Sequence, residues 1–240
     1  NIDGLRKLLH TEVPVLDAEW FLAQSARQLS LQNQQTGLGY YDFLQLKNRD
    51  DYFELIKFRE KDSIDREVRA VQELSGVSGA PRVLVGWTTA QGPAWVALDT
   101  NDPRGKGVAL KNPERGAFKH QIEEWYGSLP NGLPATFLSD DKGVRQNNAP
   151  ADAAGFHDDS RLNSGRDGRI HVHLACLRCH AGQVLLPIDD YYRKHFTTPL
   201  ALGAADKRRF LDLQSQYFSD LAGKLARDRA EYQDAYRRAT

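Results

Sequence analysis

Apolar positions recur along the chain with two different periods, and the change between them divides it. Over the first sixty residues the spacing is helical. Asp17 is placed to N-cap a helix carrying Leu16, Trp20, Phe21 and Ala23 on adjoining faces, with Glu19 near its positive end. A Gln- and Gly-rich passage from Gln32 to Gly39 breaks that pattern. Two short helical pieces are predicted next, Tyr40 to Leu46 and Asp50 to Phe58, the second turning Tyr52, Phe53, Leu55 and Ile56 toward a core.

From about Arg66 the period becomes two. Val68, Ala70 and Gln72 share one side of a strand. Arg82–Trp87 and Ala94–Leu98 form a hairpin around Gln91, Gly92 and Pro93, and Asn101 to Gly116 is a loop rich in Pro, Gly and charge. A second hairpin pairs Glu124–Leu129 with Ala135–Ser139, and Asp140–Gly143 makes a further tight turn. This block, 66–145, is expected to be one antiparallel sheet. The passage from Gln146 to Arg169 is polar and aperiodic, a length that in a compact domain marks a functional or disordered loop. One long helix is expected from Ala205 to Arg238, with Phe210, Leu213, Tyr217, Leu221 and Leu225 as its apolar stripe and Asp212, Asp220, Lys224 and Arg227 covering the rest. The fold class is therefore α+β, a single unit made of a helical leader (1–60), an antiparallel sheet (66–145) and a loop with a long C-terminal helix (146–240).

Composition adds exclusions. Lys plus Arg and Asp plus Glu balance at 32 each among 240 residues, so no nucleic-acid partner or anionic membrane surface is indicated. No run of 18 apolar residues occurs, hence no transmembrane helix is expected. The chain opens Asn1-Ile2-Asp3, which fits a mature form whose signal peptide has been removed.

The chemistry concentrates in His171-Val172-His173-Leu174-Ala175-Cys176-Leu177-Arg178-Cys179-His180, which holds the only two cysteines. Cys-x-x-Cys-His is the attachment signature of a c-type haem. Two residues between the thiols let one tight turn span the macrocycle edge, and each thiol adds to a vinyl group. The next residue, His180, then becomes the proximal iron ligand. A redox disulfide would want a strand–helix–strand context that is not visible around Cys176. A structural zinc site from Cys176, Cys179 and two of His171, His173 and His180 is chemically feasible, although ligands so close together usually need partners from elsewhere. A chance pair of buried thiols is the bland alternative. The cofactor expected is one covalently attached haem c. Arg161, Arg166 and Arg169 are candidate propionate partners, because guanidinium forks suit carboxylates, or else solvated surface charges.

Several short stretches together resemble one family. Val13-Pro14-Val15-Leu16-Asp17-Ala18-Glu19-Trp20-Phe21, Phe118-Lys119-His120, Ser128-Leu129-Pro130-Asn131-Gly132-Leu133 and the Cys-x-x-Cys-His run are similar, in that order, to segments of planctomycete-type monohaem c-type cytochrome-domain proteins. The resemblance covers most of the chain and implies an exported cytochrome. It fails at Gln121-Ile122-Glu123, where the family carries Asp-Gly-Gly.

The sixth iron position decides the function. Methionine is absent from the chain, so a Met/His axial pair is excluded within it. His120, which matches a family position, is the first candidate distal ligand and His157 the alternative, with His195 a possible pocket residue. His171 and His173 stand too close to Cys176 to cross the haem, and His10 lies in the leader. A second histidine would make a single-electron carrier acting on redox partner proteins, in the periplasm or otherwise outside the cytoplasm. An open position would allow binding of a small gas or reduction of peroxide. A third class is a structural module whose haem stabilises a larger assembly. No triad, phosphate loop or catalytic carboxylate pair stands out: Glu123-Glu124 and Asp158-Asp159 are read as solvated charges.

Overall fold

Five strands run as a simple meander: β1 (Val68–Gln72), β2 (Arg82–Thr89), β3 (Gly92–Asp99), β4 (Ile122–Ser128) and β5 (Pro134–Asp140). They lie in the order β1-β2-β3-β4-β5, every pair antiparallel. The computed structural model describes residues 39–63, 67–73, 75, 81–100, 118–147 and 220–239, and singly 172, 176, 180, 188, 190–195, 208 and 217. The expectations placed on the leader before residue 39, on the 101–116 loop and on 148–171 lie outside them. Helices α1 (Tyr40–Phe43), α2 (Arg49–Leu55), α3 (Tyr191–His195) and α4 (Leu221–Ala239) complete the described architecture, which is mixed α and β. Among the described residues no helix is long and apolar enough to cross a membrane.

Alternation along the strands sorts the side chains onto two faces, and both are apolar. One face carries Val71, Val83, Val85, Trp87, Ala94, Val96, Trp125, Ala135 and Phe137, packed with Tyr40, Tyr41, Tyr52, Ile56 and Phe58 from the α1–α2 region. Aromatic rings dominate this core. Trp87 stacks on Trp125 at 5.9 Å, Phe58 meets Trp87 edge-on at 5.1 Å, and Tyr52 stacks on Phe137 at 5.3 Å. The other face carries Val68, Ala70, Leu84, Trp95, Ala97 and Tyr126 under Leu221 and Tyr232 of α4. Gly86 is required there: a Cβ at that position would lie 2.6 Å from the Trp95 ring.

Both sheet edges are covered, as an antiparallel sheet must arrange to stay unpaired with other chains. On β5, the Thr136 and Leu138 amides donate to the Tyr40 and Tyr41 hydroxyls at 3.2 and 2.6 Å. Further along that edge, Asp140 N donates to Val144 O and Gln146 N to Leu138 O. On β1, Val71 N donates to the Asp190 carboxylate at 3.1 Å, and Asp190 is also ion-paired with Arg193 of α3.

The sheet expectation holds, with strand ends moved by one or two residues. The two short helices end earlier than the apolar pattern implied, for a local reason. Gln45 and Lys57 adopt left-handed backbone (φ 58° and 51°), and the following amides bond back five residues, Leu46 N to Tyr41 O and Phe58 N to Phe53 O, each at 2.8 Å. That is a Schellman ending whose closing residues, Leu46 and Phe58, are buried. The predicted continuous C-terminal helix is corrected as well. Arg208 and Tyr217 are helical, but Asp220 is not; its carboxylate accepts Gly223 N at 2.9 Å and so N-caps a separate α4.

A glycine at the left-handed Lys57 position relieves strain of about 1–2 kcal/mol while costing unfolded-chain entropy. Lys57→Gly is therefore expected to raise unfolding free energy by about 0.5–1 kcal/mol in chemical denaturation. Lys57→Val is expected to lower it.

Candidate functional site

The attachment segment touches the body of the protein at three described positions. Val172 is buried in the core of the α1–α2 face. Cys176 is half-buried and helical. His180 is half-buried and helical, its ring 5.2 Å from that of Tyr126 with the planes tilted 43°. Tyr126 belongs to the α4-side core, so Val172 and His180 meet different cores of the sheet. Cys176 also lies near the tyrosines that fasten α1 and α2 to β5. Burial foremost holds the Tyr41 and Tyr52 hydroxyls well above their ordinary range, and the neighbouring Cys176 adds to the rise. Cys179, His157, Arg161, Arg166, Arg169, His171 and His173 fall outside the described residues. His195 closes α3, and nothing is described of its side chain.

His120 is placed just ahead of β4, and its Nε2 lies 3.1 Å from Glu123 Oε1. Glu123 is not a solvated charge, as expected from the sequence, but a buried hub. Arg49 Nη1 donates to both of its oxygens at 2.6 and 2.7 Å, and Trp125 Nε1 and the Ser139 hydroxyl donate to Oε2 at 2.9 and 3.0 Å. Burial by itself would raise this carboxyl. The bonds from His120, Trp125 and Arg49 outweigh that and hold it at about 2. His120 thus acts as a partner of Glu123. If its Nε2–H donates to the carboxylate, Nδ1 is the nitrogen that keeps a lone pair.

Glu124 points to the opposite face. There Arg82 Nη1 bonds Asp99 at 3.1 Å and Glu124 at 3.3 Å, so one guanidinium serves two carboxylates. Burial, then the charge of Asp99, raises Glu124 to about 7 against the pull of Arg82. On the same face, Lys224 of α4 overturns its assignment to the solvated side of the helix. Its ammonium is buried and donates to Trp87 O, Thr88 Oγ1 and Asp228 Oδ1 at 3.0, 3.1 and 3.1 Å. Asp228 in turn accepts Trp95 Nε1 at 2.7 Å. Burial pushes Lys224 below its ordinary range in spite of Asp228.

Periodicity carried a signal for three of these residues. Glu123 shares strand parity with Trp125, and Lys224 and Asp228 fall on the helical stripe of Leu221. The Tyr126–His180 contact, across 54 residues of sequence, carried none. Among the described residues no group of three or more His, Cys, Asp or Glu side chains converges as a metal cage. The donor types of the Cys-x-x-Cys-His run fit a tethered haem: a half-buried thiol at its first position and a half-buried imidazole at its last.

No protein-family model matches the chain, and neither a curated protein nor a solved structure is significantly similar to it.

The two neighbouring glutamates give opposite pH dependences. Glu123, depressed from 4.5 to about 2, contributes stability above pH 4.5 that is lost as pH falls through 2. Glu124, raised from 4.5 to about 7, holds its proton more tightly when folded, so stability present below pH 4.5 is lost as pH rises through 7. Glu124→Gln is expected to gain about 1–2 kcal/mol over the parent at pH 8 and to match it at pH 4, measured by urea unfolding. Glu123→Gln is expected to lose about 2–3 kcal/mol at pH 7, the loss fading toward pH 2.

Proposed function

We propose that the chain is an exported monohaem c-type cytochrome that passes single electrons to partner proteins. Cys176 and Cys179 carry the haem as thioethers, and His180 is its proximal iron ligand. The observation that carries the reading is the pairing of the chain's only two cysteines in Cys-x-x-Cys-His, with His180 presented from helical backbone. The resemblance to planctomycete-type monohaem cytochrome-domain proteins points the same way. Such attachment takes place outside the cytoplasm, hence the exported location.

When bound, the haem supplies a one-electron redox centre. The chain's own residues tether and orient it: Val172 fixes the entry to the segment in the core, and Tyr126 backs the ring of His180. Arg161 and Arg169 remain the candidate partners for its propionates.

For the sixth position the reading keeps His120 first and His157 as the alternative. The second reading is a five-coordinate haem open to a small gas or peroxide. The Glu123 bond engages His120 Nε2 alone, so ligation by His120 would use Nδ1.

The purified, exported chain is expected to show c-type bands in a pyridine haemochrome assay, and Cys176→Ala or Cys179→Ala to lose one thioether. A chain expressed with its maturation machinery and showing no such bands overturns the reading. His120→Ala converts a low-spin ferric spectrum to high-spin if His120 is the sixth ligand. A spectrum that stays low-spin transfers the role to His157, and a high-spin parent that binds CO rapidly establishes the five-coordinate form.

A further inference from the structure

We propose that Tyr126 is the positioning residue of His180, fixing the plane of its imidazole and shielding that side of the iron ligand from water. The inference rests on the cytochrome reading and deepens it.

Tyr126 sits in the interior of β4, paired across to Trp95 on β3 and to Thr136 on β5. A strand hydrogen-bonded on both sides holds the Cα–Cβ direction of its residues, and a tyrosine has only two further torsions before its ring is placed. Burial among the α4-side core residues settles those torsions: Tyr126 is 6% exposed, in a cluster with Trp95, Leu221 and Tyr232. Trp95 is itself locked by its bond to Asp228, and Asp228 by Lys224. The platform beneath His180 is therefore a rigid part of the sheet. His180, by contrast, is half-exposed. At 5.2 Å between centroids and a 43° tilt, the two rings are within the range of an aromatic pair.

An iron-bound imidazole needs such a neighbour. The groups around a metal ligand set its ring orientation, and the apolar shell sets water access and with it the redox potential. Oxidised haem carries one more positive charge than reduced haem, so excluding water from the ligand favours the reduced state. Removing the Tyr126 ring is expected to shift the balance toward the oxidised state, while a phenyl ring in its place preserves it.

The test uses the full haem-loaded chain and its Tyr126→Leu and Tyr126→Phe variants in spectroelectrochemical titration. At the ambient potential where the parent is half reduced, Tyr126→Leu is expected to be less than half reduced and Tyr126→Phe to remain near half. A Tyr126→Leu variant that titrates with the parent overturns the inference and leaves the cytochrome reading standing, even if its melting temperature falls. Should Tyr126→Leu not fold, the parent decides alone: histidine- and tyrosine-labelled ferrous protein must show a nuclear Overhauser contact between the two rings, and its absence overturns the inference. A parent without covalent haem overturns the cytochrome reading itself, and the inference falls with it.

Discussion

A sheet that is apolar on both faces cannot leave either one in water, and that requirement organises everything else described here. The α1–α2 region covers one face with tyrosines and Phe58, and α4 covers the other with Leu221 and Tyr232. The two covers come from opposite sides of the sheet in sequence, so the chain must close around the meander. Each cover is pinned by a buried ion with its valences filled. Glu123 draws Arg49 of α2 onto the first face, and Lys224 of α4 inserts into the second with three acceptors and the Trp95 ring 5.2 Å away. Buried pairs of this kind add little net stability over apolar residues of the same shape, but removing one partner leaves the other uncompensated. Their contribution is therefore to specify which residue of each cover meets which strand.

The meander was legible because alternation over 66–145 is a property of neighbouring residues. Strand ends and the reversal before Gly92 followed to within one or two residues, and the aromatic side of α2 followed from its helical spacing. Helix endings did not. Gln45 and Lys57 are unmarked residues in left-handed backbone, held there because the amides of Leu46 and Phe58 close back and their side chains have a core to enter. No local pattern announces that. Asp220 N-caps α4 rather than covering one longer helix, and the pattern did not show it because the apolar stripe through Tyr217, Leu221 and Leu225 continues across the interruption.

The same limit separates the readable part of the candidate site from the rest. The Cys-x-x-Cys-His pattern can be read from spacing because its five residues are neighbours in sequence. Charge burial was misread in both places where it matters. Residue type was allowed to outweigh position, although strand parity put Glu123 beside Trp125 and helical spacing put Lys224 and Asp228 under Leu221. Tyr126 could not have been found this way, since its partner His180 reaches it only through the folded sheet.

That folded contact is also where stability and site chemistry meet. Cys176 lies among tyrosines whose hydroxyls serve β5, while His180, four residues on, rests on a tyrosine of β4. The tyrosines near Cys176 belong to α1 and α2 and bond to β5, and the partner of His180 lies on β4, the strand paired with β5 from Ile122↔Asp140 to Ser128↔Pro134. A change that loosened this hairpin would disturb the thiol and the imidazole together, without touching either. Glu123 reinforces the hairpin from within, because its carboxylate on β4 accepts the Ser139 hydroxyl of β5 as well as Arg49 of α2. The buried glutamate taken from its sequence context for a surface charge therefore ties together the strands and the helix from which the attachment segment takes its neighbours.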